Sequence, residues 1–199
     1  MTTNTHIHRE AWLDEFATRL QPVFSAAGYP IPRNLRVTCG FPSKRATPGK
    51  NTRIGECWSS SASTDGTFEV MVSPVLDDPI FVAGVLAHEL VHAAVGLECG
   101  HTGPFKTLAL AIGLEGKMTA TVPGDLFKRH ANPILADVGP YPHAMLSPTG
   151  KSSGPPKQST RNLKLTCPSC GYRASTTRIW LDMAGAPICP TDNIPMEEG

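Results

Sequence analysis

His88, Glu89, Leu90, Val91 and His92 form an H-E-x-x-H sequence inside an apolar run. On a helix, positions i and i+4 share a face, so both imidazoles can reach one ion. A dication held there lowers the pKa of a bound water to near neutrality and polarises a carbonyl. Glu89, beside the first imidazole, is then placed to take a proton from that water and pass it to a leaving amine. The chemistry expected is zinc-assisted hydrolysis of a peptide bond, with His88 and His92 as ligands and Glu89 as the catalytic base. The competing reading is a pair of core histidines hydrogen-bonded to backbone; a charged residue and two imidazoles in a buried helix then need other partners.

A third ligand must complete such a site and leave one position open. His101 is the best candidate, nine residues after His92 and beyond Gly96 and Gly100, which can turn the chain back. Glu115 and Glu98 are rivals. Glu115 stands near the spacing at which thermolysin-like enzymes supply a glutamate. A group that stabilises the oxyanion is also needed, and Tyr141, His130, Arg129 and His143 are the downstream candidates.

A second donor set lies near the end of the chain. Cys167-Pro-Ser-Cys170-Gly is a zinc-knuckle pattern, and Cys189 follows an 18-residue gap. The fourth ligand of such a ribbon falls on Asp192, whose carboxylate can ligate zinc. The alternatives are a ribbon that no longer holds metal, or completion by His143 or one of the early cysteines. Cys39, Cys57 and Cys99 are scattered and read as small apolar side chains.

The elements that must position these groups follow from periodicity. Arg9 to Ala27 repeats its apolar residues at helical spacing up to Gly28 and Pro30. Leu35–Cys39, Ile54–Ser59 and Thr67–Val72 read as strands, the last two flanking an Asp65-Gly66 turn. Pro42 to Thr52 reads as an exposed basic loop. Asp77-Asp78-Pro79 suits a helix start. Ile80 to Leu97 is apolar almost all round and must lie inside a core. Helices are also expected at Pro104–Leu114 and Asp125–Val138, the latter kinked or ended near Asn132 by Pro133.

The 199 residues, 40% of them apolar, suffice for one core with a small satellite unit. The net charge of +1 gives no global field toward nucleic acid or membrane. There is no apolar leader and no run long enough to span a bilayer, so a cytoplasmic protein without a membrane partner is expected. Lys151, Lys157, Arg161, Lys164, Arg173 and Arg178 occur without an intervening acid, near Tyr172 and Trp180, which offers DNA one candidate surface; a solvated linker and ribbon face is the other reading.

The stretch from Pro79 through HELVHAAVG to GHTGPFKTLALAIGL resembles the SprT/Spartan family of metallopeptidases. The likeness extends to Gly55-Glu56-Cys57-Trp58 and to the two-part layout with a terminal ribbon. The family places a Gly and a Phe shortly after its third His, as Gly103 and Phe105 follow His101; Thr102 intervenes here and the insert before His101 is short. The resemblance implies an α+β, zincin-like core with a small sheet beside the motif helix. It also implies substrates among DNA-associated proteins, since Spartan-type members cleave proteins crosslinked to DNA. The organisation expected is a peptidase domain over 1–140, a linker over 141–160 rich in Pro, Gly and Ser, and a β zinc ribbon over 161–199. A DNA-binding adaptor with an idle metal site, and a thermolysin-like peptidase unrelated to DNA, are the other classes of function.

Overall fold

The apolar periodicity of the N-terminal segment produces a helix, α1 (Arg9–Ala26), that buries Trp12, Leu13, Phe16, Leu20 and Phe24. A computed structural model of the chain describes residues 6, 8–46, 51–148 and 162–199. They fall in two compact units, Met1–Gly150 and Lys151–Gly199. The architecture is α+β, and no helix among the described residues is long and apolar enough to cross a membrane.

In the first unit β1 (Leu35–Cys39) runs parallel to β3 (Phe68–Val72), and β2 (Gly55–Trp58) runs antiparallel to β3. Among the described residues the order β1-β3-β2 leaves β2 with one unpaired edge. The helix α2 (Pro79–Val95) starts as its sequence dictates: Asp78 Oδ1 accepts the Phe81 N–H at 2.8 Å, with Pro79 in the first turn. Because α2 is apolar on all sides, it is surrounded. It packs on α1, β2 and β3, and on three later elements, α3 (Pro104–Ala111), α4 (Asp125–Val138) and β5 (Ala120–Pro123). Each fully buried large side chain, such as Leu86 or Leu90, contributes on the order of 2 kcal/mol.

Two expectations need correction. The segment after Leu108 does not stay helical to Leu114. α3 ends at Ala111, before Gly113, and Leu114 opens a hairpin of β4 (Leu114–Lys117) and β5. Burying Leu114 completely against the core outweighs continuing the helix. Nor does Pro133 break α4, which is continuous to Val138. Pro133 lies on the exposed face, where the carbonyl it leaves unpaired can bond water.

The start of the expected linker packs on the first unit. Tyr141 is buried edge-on against Trp12, and His143 Nε2 donates to Pro74 O at 2.9 Å. The rest of that stretch, 149–161, lies outside the described residues.

The second unit holds β6 (Leu163–Thr166) between β7 (Arg173–Thr176) and β8 (Glu197–Glu198), with a short helix, α5 (Arg178–Ala184), that was not expected. Its small core is Leu165, Cys167, Cys189 and Met196.

Candidate metal centres

Helix α2 directs His88 and His92 to one face, and the turn after Gly96 returns His101 to them. The Cys99 thiol braces that turn by donating to Gly96 O at 3.4 Å. His88 Nε2 and His92 Nε2 each lie 3.2 Å from His101 Nε2. Three nitrogens held ~2.05 Å from one tetrahedral ion are separated by roughly 3.3 Å. The three rings sit on Phe105, which is fully buried, with centroid distances of 4.9, 4.4 and 4.8 Å. These histidines form a metal-ligand cluster compatible with zinc.

The second atoms of the rings bear on the same test. His88 Nδ1 lies 2.9 Å from Thr121 Oγ1 on β5. With Nδ1–H donating to that hydroxyl, Nε2 presents its lone pair to the shared point. His92 Nδ1 is buried with no hydrogen-bond partner, so packing on Phe105 sets that ring's orientation. Burial depresses the His88 pKa to about 3 and the His92 pKa to about 4, reinforced for His88 by His92 and His101 and for His92 by His101. Both rings are therefore neutral at pH 7, the form that ligates metal.

Glu89 is 7% exposed and faces β2. Gly55 admits it: a Cβ at Gly55 would collide with the Glu89 carboxylate and with Val85. Burial pushes the Glu89 carboxyl up to about 8, with Arg53 pulling it down and Glu56 pushing it up. Glu56 has a different environment. Ser43 donates to it through N and Oγ, both at 2.8 Å, and Arg53 pairs with it. Burial opposes these contacts, yet together they hold its pKa below the usual carboxylate range.

The centre opens into a cleft of about 740 Å³. One wall is Arg45, the 51–57 segment and β2; the other is the β4–β5 hairpin, from Lys117 to Thr121. Gly84 lets the hairpin reach α2, because a Cβ there would strike the Pro123 ring. Glu115, a rival third ligand, points from exposed β4 toward Gly124, and Glu98 folds over Gly96; neither joins the histidine cluster.

The four expected oxyanion groups do not line the cleft. Tyr141 donates to Cys39 Sγ at 3.8 Å inside the core, and His143 is engaged by Arg9 and Pro74. His130 borders a separate 260 Å³ hollow with Val23 and Ala111, and Arg129 is exposed on α4. Arg129 and His130 are carried by α4, which packs on α1 and α2. Cys57 does line it. Burial and the nearby Glu89 push its thiol up to about 12, so it behaves as a protonated apolar group.

The second cluster joins Cys167, Cys170, Cys189 and Asp192. Two similar turns build it. Gly171 N donates to Cys167 O at 3.0 Å and Asn193 N to Cys189 O at 2.9 Å, and Gly171 and Asn193 both have positive φ, 74° and 55°. Asp192 thus occupies in the second turn the place of Cys170 in the first. Donor separations are 3.2 Å for Cys167 Sγ–Asp192 Oδ2, 3.6 Å for Cys170 Sγ–Cys189 Sγ and 3.9 Å for Cys189 Sγ–Asp192 Oδ2. Sulfur and oxygen ligands of one tetrahedral zinc lie roughly 3.6–3.8 Å apart. Thiol donation from Cys170 and Cys167 holds the Asp192 carboxyl below its ordinary value. His143 and the early cysteines belong to the first unit, and Asp192 completes the set without them.

The basic stretch is only partly described. Lys151, Lys157 and Arg161 lie outside the described residues, and Arg178 is held by Glu198 at 2.6 and 2.9 Å. Tyr172 and Trp180 are exposed.

Reasoning from sequence missed Thr121, because the hairpin that carries it read as helix and loop. It also missed the Ser43–Arg53–Glu56 cluster, which has no local signal. Compared with protein-family models, with curated proteins and with solved structures, the chain gave no match.

Proposed function

We propose that this protein is a zinc-dependent endopeptidase of the zincin class. The observation that carries the reading is the meeting of three imidazole nitrogens beside a buried glutamate, at the floor of a cleft bounded by an edge strand. Within that class the motif stretch and the terminal ribbon favour a SprT/Spartan-type enzyme.

His88, His92 and His101 would hold the ion. Zinc bound there supplies Lewis acidity to a water molecule and to the scissile carbonyl. Thr121 fixes the His88 tautomer through Nδ1. Glu89 accepts the proton of the attacking water on its carboxylate and returns it to the leaving nitrogen. Its ionised form is favoured by the nearby dication, which opposes the effect of burial. The edge of β2 that pairs with no strand among the described residues offers backbone donors and acceptors to an extended substrate. Thr119, Ala120 and Thr121 form the facing wall.

Cys167, Cys170, Cys189 and Asp192 would hold a second, structural zinc that staples a unit with a very small core. Proteins associated with DNA fit as substrates by resemblance, and Lys164, Arg173, Tyr172 and Trp180 are the candidate residues of the basic stretch to meet the nucleic acid.

The test is metal content per chain together with cleavage of an unfolded protein, with and without DNA. Glu89→Gln should keep the histidine-bound zinc and lose cleavage by on the order of a thousandfold or more. Cleavage by that variant at the wild-type rate would refute Glu89 as the base. Zinc bound without cleavage under any condition would favour an idle site in a binding protein.

A further inference from the structure

The charge in the cleft is uneven. Its lining includes three cations, Arg45, Arg53 and Lys117, and two acids, Glu56 and Glu89. Arg53 is committed to Glu56, which also takes both Ser43 donors. Glu89 is buried against Gly55. Arg45 and Lys117 are exposed and have no ion-pair partner among the described residues. They stand on separate walls, Arg45 in the β1–β2 connection and Lys117 at the end of β4. The lining also includes apolar side chains at Val85, Leu97 and Ala120.

We propose that the cleft selects acidic peptide segments, extended stretches with Asp or Glu flanking the bond presented to the histidine centre, and that Arg45 and Lys117 are its specificity-determining residues. The inference rests on the peptidase reading and names its substrate class. Two unpaired cations on opposite walls attract carboxylates on either side of a strand laid along β2. A basic segment would meet like charge there and lose binding. A polynucleotide fits less well. Apart from the histidines no aromatic ring among the described residues lines the cleft, so bases have nothing to stack on, and the two cations stand on separate elements.

The experiment compares peptides of one sequence with Glu, Gln or Lys flanking the cleaved bond, using the zinc-loaded full chain. An exposed charge pair is worth roughly up to fivefold in affinity. The Glu peptide should therefore exceed the Lys peptide by about tenfold or more in kcat/KM at low salt, and the gap should narrow at 0.5 M salt, where the Debye length is only ~4 Å. Lys117→Glu and Arg45→Glu should each shrink the preference and together reverse it, with zinc content and circular dichroism unchanged as folding controls. Equal rates for the Glu and Lys peptides, or a preference untouched in the double variant, overturn the proposal while leaving the peptidase reading intact. If no peptide is cut although zinc is bound, the peptidase reading fails instead. Binding of the same labelled peptides, read by fluorescence anisotropy, then decides the charge preference alone. Displacement of the Glu peptide by a DNA oligonucleotide, with no charge preference among peptides, would overturn it in favour of nucleic acid.

Discussion

Replacing Glu89 by Gln should stabilise the chain when metal is chelated, and by more as pH rises. In an unfolded chain this carboxyl titrates at its ordinary value of 4.5; burial raises it to about 8 in the fold. Below pH 4.5 both states hold the proton and nothing is lost. Between 4.5 and about 8 the unfolded chain has released it and the folded chain has not. Wild-type stability therefore falls across that window by ~1.4 kcal/mol per pH unit. At pH 7 the accumulated loss is about 3 kcal/mol. Gln keeps the shape and cannot ionise, so it escapes this cost. For a unit the size of Met1–Gly150, the Tm difference at pH 7 should be roughly 6–12 °C. The depressed pKa values of His88 and His92 act with opposite sign, removing stability as pH falls from about 6.5 toward 3–4. Both proteins carry them, so the comparison largely cancels that effect. Thermal unfolding from pH 5 to 8 with a chelator measures the gap, and saturating zinc should shrink it by favouring the carboxylate. A Tm gap that stays flat across this range, or a variant less stable than wild type at pH 8, would show that Glu89 is not held in a desolvated site.

Other residues give sharper local tests. Thr121→Val should weaken zinc binding by about 10- to 100-fold through loss of the His88 partner, and Thr121→Ser should restore it; chelator competition reads both. Gly55→Ala drives a methyl into Glu89 and Val85, so it should cost ~1–3 kcal/mol in denaturant unfolding and displace the base, cutting turnover without removing zinc. Asp192→Cys replaces oxygen with thiolate in the second cluster and should slow zinc release by about tenfold or more, whereas Cys167→Ser should abolish that ion; one zinc lost per chain is the readout.

What could be foreseen divides by the range of the interactions involved. The α2 ligands are four residues apart on a helix whose apolar run and Asp78-Pro79 start are local signals, so their shared face was legible. His101 needed only two glycines and a short return. Leu114–Pro123 was illegible because Leu108, Ile112 and Leu114 continue a helical period through Gly113, and only burial of Leu114 beneath the hairpin decides the outcome. Thr121 was lost with it. The misplaced oxyanion candidates show a second limit. Arg129 and His130 are near the motif in sequence, but α4 takes them to another face of α2. Asp192 could be placed by spacing, although the likeness of its turn to the Cys167–Gly171 turn emerges only from backbone dihedrals.

The ligands of the histidine centre come from one short stretch, His88 to His101, whereas the surrounding walls come from Arg45–Cys57 and Lys117–Thr121. So short a loop costs little entropy to close. During synthesis, a chain that has emerged as far as Phe105 already carries all three histidines, while the hairpin that supplies Thr121 and finishes the cleft has yet to appear. The three candidate ligands can thus be in place before the cleft that surrounds them is complete.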